Sequence, residues 1–403
     1  MWNLLALIPA SMMMAAIGPT VLSVLSTPRF GDVFSRGQTD SANVSYYCFR
    51  IPALARAANG SLIAFAEGRH TDCNDQGDVR LVRRISHDEG ASWSAIDQVK
   101  VEDGHTIGNP CPIVDLVTKH IHLLYSRDNR DAFVTRSIDG GASWGASINL
   151  TASLKLELDP TKPLIFTGPP GGIQLESGRL IGAFYYNGKN GTRSASIYSD
   201  DHGASWRRSD DVPVSSTPLP NASSVVYIGG ESQVAQSPTG GANDLVMLMR
   251  VRGDFPAPPP PPSKTPMTAV AAAPNAVDHN HAIALSSDGG VTWSPARLLP
   301  IVSPYCEGSI ATAGVGVVGG RVFLSTPSTR NGGRANLTLW SAAIDASSGR
   351  VRARYAATVY AGGAGYSSLL AGAKPGTLLN LFERDTDPYV PRNLSLAALS
   401  VTV

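Results

Sequence analysis

"SHDEGASW" at Ser86–Trp93 returns three times along the chain: as "SIDGGASW" at Ser137–Trp144, "SDDHGASW" at Ser199–Trp206 and "SSDGGVTW" at Ser286–Trp293. All four fit S-x-D-x-G-x-x-W, a pattern that average residue frequencies would produce by accident in roughly one chain in a thousand of this length. Four copies are a repeat, and a repeat is read before anything else. Asp and Ser side chains can hydrogen-bond the backbone of a tight turn, and Gly supplies a positive φ there. The Trp returns the chain to a packed surface. Apolar-alternating runs stand before each copy: "VRLVRRI", "DAFVTRS", "SASIYSD" and "HAIALSS". Each copy is therefore predicted to be a hairpin tip between two strands. Short β units recurring at irregular intervals, with insertions between them, argue for the blades of a propeller.

Composition agrees. The 403 residues suffice for one large all-β unit or two ordinary domains. With 40 Gly, 29 Pro and only 16% charged residues, the chain favours short strands and tight turns over long amphipathic helices. The formal net charge is +1, so no nucleic-acid partner is implied.

Residues 1–28 differ from the rest. No charged side chain occurs from Trp2 to Ser26, and "LLALIPASMMMAAIG" is strongly apolar. This segment reads as a signal peptide; the alternative is an uncleaved signal-anchor, which would bring the protein into contact with a membrane. Pro9, Gly18 and Pro19 interrupt the run and favour cleavage. Residues 29–403 are then a single domain. Seven N-x-S/T sequons, at Asn43, Asn59, Asn149, Asn190, Asn221, Asn336 and Asn393, fit the secretory pathway, with a secreted or a lysosomal or vacuolar destination.

The four cysteines, Cys48, Cys73, Cys111 and Cys306, are too few for a disulfide scaffold and match no zinc pattern. One or two disulfides and free buried thiols both fit, and the pairing cannot be read from spacing. "GDFPAPPPPPSKTP" at 253–266 falls outside the blade pattern and is expected to be an extended, exposed insertion loop.

One arginine, Arg50, interrupts the strand-like run "YYCFRIPALA" at Tyr46–Ala55. A guanidinium in an apolar strand is costly to bury unless an anion meets it. With F-R-I-P upstream and four Asp boxes downstream, the chain resembles the sialidases (neuraminidases) from about Tyr46 to its end. "SAAIDASSG" from Ser341 is a fifth, degenerate box that lacks the Trp. The resemblance implies an all-β, six-bladed β-propeller with Asp-box hairpins and an active site at the central axis. It also implies an exo-alpha-sialidase, a glycoside hydrolase. Such an enzyme removes terminal alpha-linked sialic acids from glycoproteins, glycolipids such as gangliosides, or oligosaccharides. No metal or organic cofactor is expected.

Sialic acid carries a carboxylate on its anomeric carbon, so its enzyme needs a cationic, planar, bidentate cradle. The resemblance gives that task to Arg50, to Arg250 in "LVMLMR" and to Arg334 in "GGRANLTLW". Taken singly, each fits a structural ion pair as well. By the same resemblance Glu383, in "LLNLFERD", orients Arg50, and Arg69, in "AEGR", touches the sugar or its carboxylate. Asp75, six residues after Arg69, is the expected acid/base, with Asp72 and Asp78 as alternatives.

Sialidases depart from the two-carboxylate glycosidase scheme by using a tyrosine nucleophile. An anionic nucleophile would be repelled by the substrate's own carboxylate, whereas a neutral phenol is not. A phenol with a pKa near 10 then needs a base. Tyr366, in the Gly-rich segment "GGAGYSSLL", matches the nucleophile, and Glu231, in "GGESQVAQ", matches its base. The implied reaction is a double displacement with retention. "GHTIGNPCPIVD" from Gly104 and "FTGPPGGIQLESGRLIGAFYY" from Phe166 also resemble family segments, without assigned chemistry.

A trans-sialidase, or an enzyme for a deaminated sialic acid, would use the same residues. A catalytically silent propeller that binds sialylated glycans could keep the boxes but need not keep Tyr366, Glu231 and Asp75 together.

Overall fold

The computed structural model describes residues 23–24, 29–213, 227–238, 241–252, 280–312, 321–329, 333–345, 350–385 and 393–402. Most of the expected leader 1–28, the proline-rich segment 253–266, Asn221 and the end of the degenerate box lie outside them. The described elements are all strands, consistent with the Gly- and Pro-rich composition. Two of them, β1 (Ser23–Val24) and β2 (Arg29–Ser35), precede the first sheet in sequence.

Four sheets follow in chain order. The first is β3 (Cys48–Arg56), β4 (Leu62–Arg69), β5 (Val79–Ser86) and β6 (Asp97–Lys100). The second is β7 (Ile107–Val114), β8 (Ile121–Arg127), β9 (Asp131–Ser137) and β10 (Ile148–Asn149). In the third, β11 (Ile165–Thr167) and β12 (Ile173–Gln174) both pair with β13 (Leu180–Gly188), followed by β14 (Gly191–Ser199) and β15 (Arg207–Arg208). The fourth is β16 (Tyr227–Gln236), β17 (Leu245–Arg252), β18 (His281–Ser286) and β19 (Arg297–Leu298).

A larger sheet ends the chain, with β20 (Ser309–Thr312), β21 (Arg321–Pro327), β22 (Ala335–Ile344), β23 (Val351–Ala371), β24 (Thr377–Arg384) and β25 (Asn393–Thr402). Both β1 and β2 pair with β25, so the two ends of the chain share a sheet. The long strand β23 changes partner along its length. Its first part, to Gly363, pairs with β22, and its second, from Ala364, pairs with β24.

The sheets close a ring. β3 packs on β7, β7 on β13, β13 on β16, β16 on β20, β20 on β23, and β23 returns to β3. Apolar side chains fill the interfaces. Ile63, Phe65, Leu123 and Tyr125 join the first sheet to the second, and Val33, Leu54, Leu381 and Leu396 join the last to the first. Another apolar cluster, with Phe323, Leu339, Leu369 and Phe382, lies between the two parts of the large sheet. At the middle is a cavity of about 300 Å³, lined by the ends of β3, β7, β12, β16, β20 and β23. This is an all-β, propeller-like fold.

Each complete repeat joins the last two strands of its sheet and keeps one set of bonds. In the second copy Ser137 Oγ donates to Asp139 Oδ1 at 2.8 Å and accepts the Gly141 amide at 2.8 Å, while Asp139 Oδ1 accepts the Ser143 amide at 2.9 Å. The other three copies repeat these contacts. The glycine has a second reason to be there. A Cβ on Gly90, Gly141, Gly203 or Gly290 would run into Leu396, Ile63, His122 or Ile181, each on the preceding sheet. The repeat is thus a turn and also a docking point between neighbouring sheets.

Ser137→Ala would leave the buried Gly141 amide unpaired, which costs about 1–3 kcal/mol. The expected outcome is a lower urea midpoint with an unchanged slope, and an unchanged midpoint would contradict it.

Candidate active site

Arg50 lies on β3 where the strand bulges between Arg50 and Ala53. At the bulge Ile51 has φ 54°, an uncommon backbone for a β-branched residue. Bulges re-aim side chains and gather beside active sites. The buried Arg50 donates from Nε to Glu383 Oε1 at 3.0 Å and from a terminal nitrogen to Asp75 Oδ1 at 2.9 Å. Burial opposes its charge, but Glu383 and Asp75 outweigh that cost and raise its pKa above the ordinary value.

Glu383 binds more than one group. It also accepts the Ile51 amide at 3.2 Å and the Tyr366 amide at 3.1 Å. A Cβ at position 365 would collide with its carboxylate, so a glycine precedes the tyrosine. Tyr366 itself sits inside β23, at the bulge between Ala364 and Ser367, and not in a loop.

The Tyr366 hydroxyl donates to Glu231 Oε1 at 2.6 Å and accepts from Arg250 at 3.2 Å. Arg250 also bonds both Glu231 oxygens at 3.1 Å. It lies on β17, two residues before the strand ends. The guanidiniums of Arg50 and Arg334 lie 5.3 and 5.4 Å from the centre of the Tyr366 ring. Burial, followed by the Glu231 charge, pushes the phenol pKa well above 10, and the three arginines only partly offset this. The phenol is therefore neutral in the free protein. A phenolate formed during reaction would meet Arg250 directly.

Arg250 and Arg334 share an acceptor, the carbonyl oxygen of Tyr305, at 3.1 and 3.3 Å. The Tyr305 ring lies against Arg250, with the guanidinium carbon 3.5 Å from its centre. Arg50, Arg250 and Arg334 thus surround one tyrosine.

Arg69, at the end of β4, is fully buried. It bonds Glu67 Oε2 at 2.6 Å, the Cys73 carbonyl at 2.6 Å and Asp75 Oδ1 at 2.9 Å. Asp75 therefore bridges Arg50 and Arg69, while its side chain remains 75% exposed at the mouth of the site. Desolvation would raise its pKa, but Arg50 and Arg69 prevail and hold it below the usual carboxylate range. The alternatives face elsewhere. Asp72 bonds Asn74, and Asp78 pairs with His70 and Arg80.

Several neighbours were not singled out by sequence reasoning. Glu67 bonds Arg69 and accepts the amide of Asn109, which sits on the β7 bulge. Glu307 is 1% exposed, accepts the Ser367 amide at 2.9 Å and has no hydrogen-bond partner for its second oxygen among the described residues. Burial, with Glu231 and Glu383 nearby, raises its pKa well above 4.5. Two successive amides at the β23 bulge, those of Tyr366 and Ser367, thus end on two carboxylates. The segment "SPYCEGS" carried one signal: an acid in an otherwise uncharged run. Cys48 and Cys73 form a disulfide, whereas Cys111 and Cys306 are buried and free. No cluster of His, Cys, Asp and Glu suited to a metal occurs among the described residues.

A BNR repeat-like domain model matches residues 60–255. An exo-alpha-sialidase of Arthroderma benhamiae is 28% identical over 172 residues, covering 35% of this chain and 41% of that protein. Sialidase-4 of Mus musculus is 27% identical over 327 residues, covering 73% of this chain and 58% of its own length. This chain therefore spans less than two thirds of each of these relatives. Among solved structures, Hadza microbial sialidase Hz136 has a TM-score of 0.66 at 21% identity, covering 88% of this chain and 66% of its own. The intramolecular trans-sialidase of Ruminococcus gnavus has 0.65 at 15% identity, covering 92% and 98%. By sequence the chain is similar to sialidases, and it shares their propeller fold.

Glu307 provides a pH test. Its folded pKa exceeds its unfolded value, so its stability contribution is full below about pH 4.5 and is lost as pH rises toward the folded value. Glu307→Gln stays neutral and is expected to gain in thermal midpoint over the parent between about pH 5 and pH 8. A difference that does not change with pH would contradict this.

Proposed function

We propose that the protein is an exo-alpha-sialidase that cleaves terminal alpha-linked sialic acids with retention. What carries this reading is the 2.6 Å hydrogen bond from the Tyr366 hydroxyl to Glu231, made among three arginines. A phenol paired with a base beside concentrated positive charge suits a substrate that is itself an anion at the reacting carbon. The similarity to sialidases over part of their length supports the same reading. The substrates would be sialylated glycoproteins, glycolipids or oligosaccharides.

In this reading Arg50, Arg250 and Arg334 grip the substrate carboxylate, and Arg69 supports the sugar. The Tyr366 oxygen attacks the anomeric carbon while its proton passes to Glu231. The bond to the leaving oxygen breaks as Asp75 protonates it. Asp75 then takes a proton from water, whose oxygen displaces the Tyr366 oxygen; the departing phenolate recovers its proton from Glu231, and sialic acid is freed. In the free site Asp75 is ionised, because Arg50 and Arg69 hold it so. A carboxylate arriving on Arg50 removes that partner and adds negative charge, and both changes raise the Asp75 pKa toward that of a working acid. Substrate binding thus arms the acid.

The large sheet counts here as two blades divided within β23, which makes six in all, and residues 29–403 form a single propeller domain following a leader whose cleavage would also remove β1 from its pairing with β25. Exposed sequons at Asn43, Asn59, Asn149 and Asn190 suit a glycoprotein of the secretory route, secreted or lysosomal. The exposed Tyr305 beside Arg250 is the feature that favours transfer to a sugar acceptor as a second reading.

The test is release of methylumbelliferone from its sialic-acid α-glycoside. Activity is expected in the parent, with losses of at least about a hundredfold for Tyr366→Phe and Glu231→Gln. The first sialic acid anomer seen by NMR should be α. A folded but silent parent, or an initial β product, would contradict the proposal. Sialylated lactose among the products, when lactose is supplied, would favour transfer.

A further inference from the structure

The segment between β4 and β5 carries Asp75 and is exposed along most of its length. Few contacts hold it. Gly77 bonds the Thr106 side chain in both directions, at 2.9 and 3.1 Å, and the Cys73 carbonyl accepts from Arg69. Asp75 reaches Arg50 and Arg69 through one oxygen. The single covalent tie is the disulfide from Cys73, two residues before Asp75, to Cys48, two residues before Arg50. Cys48 is fully buried at the start of β3, so the tie runs to the strand that presents the first arginine. Cys73 is half-buried, within reach of a reductant.

We infer that the Cys48–Cys73 disulfide is a positioning device for the general acid, holding Asp75 over the leaving group when substrate takes Arg50 away from it. The inference rests on the sialidase reading above. Once a substrate carboxylate occupies Arg50, the Asp75 side chain keeps only Arg69, and the backbone before it is fixed by the disulfide and the Cys73 carbonyl. Displacements of about 1 Å can cost on the order of a hundredfold in rate. Opening the disulfide needs a thiol or phosphine reductant, which supplies two electrons and leaves two thiols.

The leaving group distinguishes positioning from general stability. Methylumbelliferone leaves as a stabilised anion and needs little proton donation, whereas a sugar alkoxide needs it in full. We would measure kcat/KM on methylumbelliferyl sialoside and on sialyl-lactose for three forms: the oxidised parent, the phosphine-reduced parent and Cys73→Ser. Thermal midpoints would be followed alongside.

Opening the disulfide is expected to lower kcat/KM on sialyl-lactose roughly ten- to a hundredfold while changing the aryl substrate less than about threefold. Asp75→Ala sets the limit of that discrimination. Equal losses on both substrates, or no loss on either, would overturn the positioning role while leaving the sialidase reading intact. An oxidised parent silent on both would overturn the sialidase reading and this inference with it.

Discussion

The rest of the site depends on the ion pair between Arg50 and Glu383. Its partners are 333 residues apart in sequence and almost fully buried. One stands on the first strand of the first sheet, the other on a strand of the last sheet, so the pair lies where the ring closes. A lone guanidinium there would be prohibitively expensive, and a lone carboxylate equally so. Together they tolerate burial because Glu383 also takes the amides of Ile51 and Tyr366. One carboxylate thus fixes the cation, the backbone beside it and the phenol opposite.

Several strands lining the ring use the same local device. β3 bulges at Arg50, β7 near Asn109, β16 before Ser232, and β23 before Ser367. In each case the ladder is interrupted where a polar side chain leaves the sheet, and a carboxylate from elsewhere in the ring takes up a freed amide in three of them: Glu383 on β24 for Ile51, Glu67 on β4 for Asn109, and Glu383 with Glu307, just before β20, for Tyr366 and Ser367. The strain at Ile51 and Asn109 is carried by a rigid surround rather than by the bulge itself. Beyond the bulges the same strands turn apolar and line the central cavity.

Much of this could be read in the sequence because its physical causes are local. The repeat announces its turns through Ser, Asp and Gly side chains that satisfy their own backbone, and it recurs often enough to exceed chance. The sheet-to-sheet docking of the box glycines was hidden, since Leu396, Ile63, His122 and Ile181 are remote in sequence. The convergence of Arg50, Arg250 and Arg334 was legible only as a family pattern. Their shared acceptor, the Tyr305 carbonyl, was invisible because a backbone oxygen leaves no mark on residue identity. The Cys48–Cys73 pairing and the burial of Glu307 likewise required the fold. Both depend on which strand ends meet, not on spacing.

The central claim is that the arginines at 50, 250 and 334 together recognise a single substrate carboxylate. Calorimetric titration with sialic acid and with its methyl ester tests it most directly, because the ester keeps the sugar and exchanges the carboxylate charge for a small methyl group. Loss of charge-assisted bonds worth about 1.5–3 kcal/mol each should weaken ester binding by at least tenfold, and by about a hundredfold if two bonds are lost. Equal affinity for the two ligands would contradict the account.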